Sequence, residues 1–505
     1  MTNERKFNVQ LFVVLILVSF CSLLFCTKNS WLYSFNDWVD GNAFFTMGKG
    51  MVNGLVPYKD LFEQKGPLLY LIYGIGYLLS NKTLHGIFIL EVISMAITCF
   101  YIFKFSNNFL NRFNSLIVCF LFIPVVCSSK SFVQGGSCEE FCLPFFAYSI
   151  YSFYELLNEK SIQHQYKLIF LTGLNAGLVT LMKFNLIAFW FIWMALAFFF
   201  LISKKKIKEA FIACVVFLVG MILPLALFSI YFMIHGAFKD FIESYFMFNM
   251  NSYTTILSLK ERIHNMLLAC HSELNYNLDV KYLTYIGFAC ILCTWIYRNV
   301  WFVLFTILSY AFLVLGVFFG GNAFFYYYLD FQIYIIFGLI GVLKIFELIL
   351  KNNKIKKLYY GVMLCFVALL TVQNVHASTN LEYIPIKKDY YAQYVFDEII
   401  SKSDDKTLLN YDNLDGGFYT ASDILPNVKY FMRQNVDYER YPIIMDSQNG
   451  YIKSKKVKYV VIREYFGNRG YRKNLEDLNK NYKCIKHHAQ IFEGMDYDYY
   501  LYERR

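Results

Sequence analysis

Residues Phe211–Met233 read FIACVVFLVGMILPLALFSIYFM, a run of 23 residues without a charged side chain. A helix of about 17–25 residues crosses the ~30 Å hydrocarbon core of a membrane, so this run is long enough to span one. Similar uncharged runs are Leu11–Cys26, Val300–Phe319 and Phe331–Leu343. Because backbone groups in lipid must be hydrogen-bonded within their own segment, each spanning run should be a helix. The sequence therefore predicts a polytopic α-helical membrane protein.

The composition of the chain supports the same class. Of 505 residues, 57% are hydrophobic and only 17% are charged, whereas soluble domains carry about a quarter charged residues. The net charge of +10 comes from short basic clusters between apolar runs, which is the pattern of cytoplasmic membrane loops rather than of nucleic-acid binding. Most cysteines lie inside apolar runs, where a thiol acts as a small hydrophobe. These features exclude a cytosolic enzyme, a secreted disulfide scaffold and a nucleic-acid binder.

The apolar runs predict about eleven spans, each near the length needed to cross a membrane or slightly shorter. Leu68–Leu79 is left out, because a run of about twelve residues is short for a crossing and suits the membrane interface. The predicted spans are Val9–Cys26, Leu84–Phe103, Ser115–Ser128, Phe141–Leu157, Leu168–Met182, Leu186–Ser203, Phe211–Met233, Tyr282–Tyr297, Val300–Phe319, Phe331–Leu350 and Leu358–His376.

The basic clusters decide the orientation of these spans. With Leu68–Leu79 excluded, they all fall on the side of Arg5 and Lys6, which the positive-inside rule predicts to be cytoplasmic. The clusters are Lys104 with Arg112, Lys160 with Lys167, the Lys204-Lys205-Lys206-Lys208 group, Arg298, and Lys351-Lys354-Lys356-Lys357. The segments predicted to face outward, away from the cytoplasm, are Thr27–Thr83, Ser129–Glu140 and Ile234–Lys281.

The composition changes after His376, which predicts two domains: a membrane domain over residues 1–377 and a soluble α/β domain over 378–505. The odd number of spans places the second domain outside the cytoplasm. Short runs rich in Val, Ile, Leu and Tyr predict strands, and two stretches have helical spacing. The strands are Lys406–Tyr411, Val457–Arg463 and Tyr499–Tyr502, and the helices are Tyr390–Ile400 and Tyr471–Asn481. The protein is thus predicted to be a multi-pass protein of the cell membrane.

The first outward segment carries a distinctive pattern. It reads NDWVDGNAFF from Asn36 to Phe45 and PYKDLFEQKGPLLY from Pro57 to Tyr70. Asp40 is followed by an amphipathic helical stretch, a glycine stop, a Pro-Tyr turn and a basic Lys-Gly-Pro sequence before the interfacial helix. This layout holds a carboxylate at the boundary between membrane and water. An isolated outward aspartate is more often an ordinary capping or solvated residue.

The order of these residues resembles the GT-C superfamily of membrane glycosyltransferases that use polyprenyl-phosphate sugars. The resemblance is to protein mannosyltransferases, aminoarabinose transferases and related glycosyltransferase-39-like families, and it implies a GT-C-like fold with outward juxtamembrane helices. Asp40, Gly54, Pro57-Tyr58 and Lys65-Gly66-Pro67-Leu68 match in order and approximate spacing. The family commonly has Asp-Glu where this chain has Asp40-Gly41, and Gly66 replaces the commoner proline.

A second acidic position supports the resemblance. The sequence GGSCEEFCLP, from Gly135 to Pro144, places Glu139 and Glu140 at the outer start of the fourth predicted span. The family carries a second carboxylate at this point. The predicted order of spans places Glu139 and Glu140 on the same side of the membrane as Asp40. Two adjacent glutamates project in different directions on a helix, so one of them is expected to enter the site. The other reading is that they stabilise a helix N-terminus.

The resemblance implies an inverting transfer in which a base accepts the proton of an acceptor hydroxyl and cations bind the departing phosphate. Asp40 is the candidate base, with Glu139 or Glu140 as second carboxylate. Candidate substrate-binding residues are Lys65, Lys183, Arg262 and Tyr58, although each cation could equally snorkel at the interface. A divalent cation, Mg²⁺ or Mn²⁺, would suit carboxylate ligands, but two or three carboxylates do not define a metal site.

The expected partners are a polyprenyl-phosphate-linked sugar donor, an extracytoplasmic glycan, lipid or protein acceptor, and the membrane, but no nucleic acid. A composition rich in Lys, Asn, Phe and Tyr is typical of an AT-rich bacterial genome and favours undecaprenyl phosphate as the carrier. The alternatives are a lipid-linked glycan transporter or flippase, a polysaccharide polymerase, and an inactive scaffold. Transporters usually carry charges and helices broken by Gly or Pro near the midplane. These spans offer few candidates of either kind, chiefly Glu91 and Pro224, and the acidic residues collect at the outer boundary instead.

Overall fold

The computed structural model describes residues 3–255, 257–293, 299–350, 353–492 and 495–505. Helices dominate up to residue 376, as the apolar runs predict. They are α1 Asn3–Cys26, α2 Val39–Val52, α3 Pro67–Leu79, α4 His85–Ser106, α5 Arg112–Cys127, α6 Cys138–Asn158, α7 Ile162–Thr180, α8 Ile187–Ser203, α9 Ile207–Ile234, α10 Phe238–Phe241, α11 Leu259–Tyr276, α12 Leu278–Leu292, α13 Val300–Phe318, α14 Ile335–Ile349 and α15 Asn353–His376.

Within the described residues, each predicted span overlaps a helix, which confirms the polytopic helical class. Among the described residues, 7 helices are long and apolar enough to cross a membrane. The predicted spans in α5, α6, α7 and α12 fall outside this set because they are shorter or more polar, so the count of eleven stays a prediction. Arg298, Lys351 and the end of the span Tyr282–Tyr297 lie outside the described residues.

One compact unit comprises Met1–Thr27, Leu90–Phe228 and Thr255–Leu381. Its interior is rich in aromatic contacts, such as the Phe153 and Phe305 rings, which stack at 4.2 Å. The indole N–H of Trp190 donates to the Ser149 hydroxyl at 2.9 Å, so a buried polar atom in this apolar core has its partner. Small residues also let helices approach closely, as expected between helices in lipid: a Cβ at Gly177 of α7 would meet Pro224 of α9 at 2.6 Å.

A second compact unit comprises Lys28–Ile89, Ser229–Thr254 and Glu382–Arg505. Its C-terminal part adds helices α16 to α19 and a sheet of strands β1 to β4, confirming its α/β character. These elements are α16 Ala392–Ile400, β1 Leu408–Asn410, α17 Phe418–Ala421, α18 Ile443–Lys453, β2 Tyr459–Tyr465, α19 Glu476–Asn481, β3 Tyr482–Phe492 and β4 Met495–Arg504. The strand order is β1-β2-β4-β3, with β1 parallel to β2 and the other pairs antiparallel.

Strand β3 is absent from the sequence prediction, because YKCIKHHAQIF lacks the alternation of apolar and polar residues on which that prediction depends. The predicted helix Tyr471–Asn481 is divided into a short 3₁₀ turn, Tyr471–Asn474, and the helix α19. The other predicted elements of the C-terminal segment are present with shifted ends.

The second unit joins the C-terminal segment to parts of two predicted outward segments. Phe62 of the first outward segment packs in one apolar cluster with Phe248, Tyr430 and Ile444. Its backbone N–H also donates to the carbonyl of Lys429 at 2.9 Å. Segments that share one core must lie on the same side of a membrane, as the basic-residue pattern predicts for these three. The domain boundary between residues 377 and 378 stays a prediction.

Candidate functional site

Asp40 lies in the first turn of α2 and is partly exposed. The turn before it is held locally: the Trp38 N–H donates to the Asn36 side chain at 3.0 Å, and the Asn42 amide donates to the Asn36 carbonyl at 2.9 Å. Its acidic neighbour Asp37 is instead buried in an ion pair with Lys28 at 2.8 Å. Of these two aspartates, Asp40 is therefore the one that a substrate can reach.

The loop before α3 fixes the backbone of Lys65. The buried Glu63 carboxylate accepts the Lys65 N–H at 2.7 Å and the hydroxyl of Tyr70. Burial raises the pKa of Glu63, and the Tyr70 hydrogen bond and the charge of Lys65 oppose this shift. The Tyr58 hydroxyl donates to the Lys65 carbonyl at 2.6 Å. The main chain of Lys65 is thus held on both sides of its Cα.

Tyr58 itself is fully buried and has a φ of 70°. The left-handed region is unfavourable for a residue with a side chain, by roughly 1–2 kcal/mol. The turn is compensated by packing, because the Tyr58 ring lies 5.9 Å from that of Tyr70 and 5.5 Å from that of Phe232. Tyr58 therefore supports Lys65 from the interior, and its predicted contact with substrate stays a prediction.

Glu139 and Glu140 point in different directions from the first turn of α6, as expected for adjacent helical residues. The Ser137 hydroxyl caps this helix by accepting the Glu140 N–H at 3.0 Å. The Glu140 carboxylate accepts the Gly136 N–H at 2.8 Å and lies beside Glu91. The Glu139 carboxylate turns instead toward Lys183, whose ammonium is 2.5 Å away. The two glutamates belong to separate buried clusters.

The cluster around Glu139 contains a further carboxylate, Asp330. It is fully buried and lies within electrostatic range of Glu139 and Lys183. Within the described part of the chain, neither of its carboxylate oxygens has a hydrogen-bond partner. The Lys183 ammonium lies 3.4 Å from the centre of the Tyr327 ring. One ammonium is thus the cation near two carboxylates, and only Glu139 is paired with it directly. Because a buried unpaired carboxylate is unfavourable, Asp330 is suited to accept a hydrogen bond from a hydroxyl or another donor.

Asp330 is not among the site residues predicted from the sequence. The signal was available: Asp330 is an acidic residue in the apolar stretch Phe325–Ile349, and ionisable residues within spanning helices are commonly functional. Its partner on α6 is distant in sequence, so no local pattern could have connected them.

Arg262 lies in the first turn of α11 and binds backbone carbonyls. Its guanidinium donates to Thr255 and to Phe319 at 2.8 Å each and to Leu257 at 3.2 Å. These bonds join the start of α11 to the end of α13. Contact of Arg262 with a phosphate stays a prediction.

The predicted residues fall into both compact units. Asp40, Tyr58 and Lys65 belong to the second unit. Glu139, Glu140, Lys183 and Arg262 belong to the first. That Asp40 shares one cavity with a glutamate therefore stays a prediction. Among the described residues, no group of three or more His, Cys, Asp or Glu side chains is arranged to hold a metal ion, and the use of Mg²⁺ or Mn²⁺ also stays a prediction.

The fold is similar to solved membrane enzymes. ArnT from Cupriavidus metallidurans bound to undecaprenyl phosphate matches with a TM-score of 0.63 and 10% identity over 98% of both chains. Its apo state matches with the same TM-score and identity over 99% of this chain and 98% of that chain. The Archaeoglobus fulgidus oligosaccharyltransferase tethered with an acceptor peptide matches with a TM-score of 0.51 and 11% identity, over 96% of this chain and 73% of that chain. The protein is a multi-pass membrane protein with the fold of the GT-C glycosyltransferases.

Within that class, residues 64–234 match the family model of dolichyl-phosphate-mannose-protein mannosyltransferases. The matched segment includes Lys65, Glu139, Glu140 and Lys183. No curated protein matches the sequence. The resemblance to the GT-C superfamily, stated above from short motifs, is confirmed.

Proposed function

We propose that the protein is an inverting glycosyltransferase that moves a sugar from a polyprenyl-phosphate carrier to an acceptor outside the cytoplasm. The observation that carries this proposal is the fold match over 98% of both chains to ArnT bound to undecaprenyl phosphate. The match of residues 64–234 to a mannosyltransferase family that uses a lipid-phosphate sugar supports it independently.

In the proposed reaction, the Asp40 carboxylate accepts the proton of an acceptor hydroxyl. The hydroxyl oxygen attacks the anomeric carbon from the face opposite the phosphate and forms the new glycosidic bond. The bond between this carbon and the phosphate oxygen breaks, and the polyprenyl phosphate leaves with the electron pair. A single displacement inverts the anomeric configuration. The partial exposure of Asp40 at a helix N-terminus suits this role, because the base must be ionised and accessible.

Cationic residues stabilise the departing phosphate in this proposal. Lys65 is the first candidate, since Glu63 and Tyr58 hold its backbone in place. Lys183 is paired with Glu139 and can reach a phosphate only if it leaves or shares that partner. The Glu139–Lys183–Asp330 cluster is better suited to orienting a hydroxyl-rich group by hydrogen bonds.

Assay of the purified protein with a radiolabelled polyprenyl-phosphate sugar tests the class of reaction. We expect the labelled monosaccharide to be transferred to an acceptor or slowly released from the polyprenyl phosphate. We expect no transfer from a nucleotide sugar. Movement of an intact labelled lipid across vesicles without bond cleavage would instead indicate a flippase. Transfer of whole glycan chains only would indicate a polymerase.

The same proposal places the N-terminus in the cytoplasm and residues 378–505 outside. Cysteine labelling at Lys205→Cys and Lys455→Cys in intact cells tests this orientation. We expect an impermeant reagent to label the second site and not the first. Labelling of both sites from one side would contradict the assignment of outward segments and with it the location of Asp40.

A further inference from the structure

A groove of about 470 Å³ lies on the surface of the first compact unit, between α1 and α4. The helices run antiparallel there: Glu4 approaches Lys104, the Phe7 ring contacts that of Phe103, and the Phe12 ring contacts that of Phe100. This register brings the start of α1 and the end of α4 to the same end of the groove.

The lining of the groove changes from polar to apolar along its length. Arg5 and Asn8 of α1 and Tyr101 of α4 line the polar end. Phe12, Val13 and Ile97 continue the wall further along the same helix faces. At 1.5 Å per residue, the distance from Arg5 to Val13 along α1 is about 12 Å. The groove thus has one end for a polar group and a wall suited to a hydrocarbon chain.

Cations surround the polar end. The Lys104 ammonium lies 5.6 Å from the centre of the Phe100 ring, and the Arg112 guanidinium lies 4.7 Å from that of Phe7. Arg5, which lines the groove, adds further positive charge. Among the described residues, the carboxylates near Lys104 include Glu4, which is 81% exposed where it meets Lys104, and Glu155, which acts on Lys104 from a distance. An exposed pair of this kind is weak, so the end of the groove is positive.

Asn8 provides a second, independent observation. Its side-chain carbonyl oxygen is shielded from solvent and, among the described residues, has no hydrogen-bond donor. A buried acceptor without a donor is unfavourable. A ligand that carries a hydroxyl next to its negative charge would satisfy both the cations and this oxygen.

We propose that this groove binds an anionic phospholipid with a hydroxyl-bearing headgroup, of the phosphatidylglycerol type. The phosphodiester lies against Arg5 and Lys104, a headgroup hydroxyl donates to Asn8, and one acyl chain follows Phe12, Val13 and Ile97. Basic pockets between helices at a membrane surface commonly bind anionic headgroups. The site lies at the end of the bundle that the basic-residue pattern predicts to be cytoplasmic, and no candidate catalytic or substrate-binding residue lines it.

Native mass spectrometry of the full-length protein tests the proposal. The wild type is purified from vesicles that contain equal amounts of phosphatidylglycerol and phosphatidylcholine with identical acyl chains. We expect preferential retention of phosphatidylglycerol and a decrease of this preference by about five-fold in Arg5→Gln, in line with the effect of one basic residue near an anionic surface. Lys208→Gln removes an exposed cation outside the groove and should leave the preference unchanged.

A second variant separates the groove from surface charge. Ile97→Trp fills the apolar part and should lower retention of both lipids while Arg5 is intact. Equal retention of the two lipids by the wild type, or an unchanged preference in Arg5→Gln, would overturn the proposal. Displacement of phosphatidylglycerol by millimolar inorganic phosphate would do the same, because it would indicate a phosphate site rather than a lipid site.

Discussion

At the scale of single residues, Lys183 illustrates how one cation can have a structural or a catalytic role. Its ammonium lies 2.5 Å from Glu139 and within electrostatic range of Asp330, and all three side chains are buried. Removing one partner of a buried ion pair leaves an uncompensated charge, which costs about 3–5 kcal/mol. The same lysine is predicted from the sequence to bind the donor phosphate. The structural and the catalytic role can be distinguished by the stability and activity of a double variant.

We expect Lys183→Met to destabilise the protein by about 3–5 kcal/mol, because Glu139 and Asp330 then remain buried without a cation. Thermal unfolding of the detergent-purified protein measures this loss. Glu139→Gln combined with Lys183→Met should restore much of the stability. If the double variant is stable but inactive, the cluster has a catalytic role. If Lys183→Met is as stable as wild type, Lys183 does not have the structural role of neutralising buried carboxylates.

At the scale of elements, the sequence predicts helices better than it predicts strands or sites. Uncharged runs identify spanning helices because a long segment in lipid must hydrogen-bond all its backbone groups internally, which a helix does. Strand β3 depends instead on pairing with β4, and its lysines and histidines give no local sign of it. For the same reason Asp40, Glu139 and Glu140 could be named from motifs, whereas the proximity of Asp330 to Glu139 becomes visible only in the folded structure.

Helices α2 and α3 offer a test at this scale, because they meet at glycines. A Cβ added at Gly48 would lie 2.6 Å from the carbonyl oxygen of Tyr70, so the two backbones are in direct contact. We expect Gly48→Ala to separate the helices and to lower the midpoint of thermal unfolding. The shift should also displace Lys65, which lies in the loop just before α3, and reduce activity.

Gly450→Ala is the matched control for this substitution. It also lies within a helix, α18, but a Cβ there meets no atom within 4 Å. Alanine in a helix is favoured over glycine by about 1 kcal/mol, so this variant should be neutral or slightly more stable. Equal behaviour of the two variants would contradict the close contact of α2 with α3.

At the scale of the whole molecule, a set of buried polar contacts in the second unit connects α2 to residues far away in the sequence. The Thr46 hydroxyl of α2 donates to Asp415 at 2.6 Å. Lys49 donates to the carbonyl of Tyr419 at 2.7 Å and lies 3.5 Å from Asp423. Burial lowers the pKa of Lys49 to about 8, despite the nearby carboxylates. Burial raises the pKa of Asp415 from 3.8 to about 6, and its hydrogen bonds only partly oppose this shift.

The raised pKa of Asp415 predicts the sign of a pH effect on stability. The folded state holds this proton more tightly than the unfolded state, so the contribution of Asp415 is most favourable below pH 3.8 and declines as pH rises through about 6. A shift from 3.8 to about 6 corresponds to about 3 kcal/mol. We therefore expect wild type to lose stability relative to Asp415→Asn between pH 4 and pH 7, by roughly this amount.

Unfolding of both proteins across this pH range measures the difference. Asp477→Asn, at an exposed position of α19, is the control and should show no such trend relative to wild type. A constant difference between wild type and Asp415→Asn would contradict the raised pKa.

Asp40 is proposed to be the base of the glycosyl transfer, and the transfer rate of Asp40→Asn tests this role most directly. A carboxamide keeps the shape of the side chain but cannot accept the proton, so we expect a rate lower by about 10²–10⁴ with donor binding retained. Asp279→Asn, another exposed first-turn aspartate in a predicted outward segment, should react like wild type. Turnover of Asp40→Asn at the wild-type rate would contradict the account.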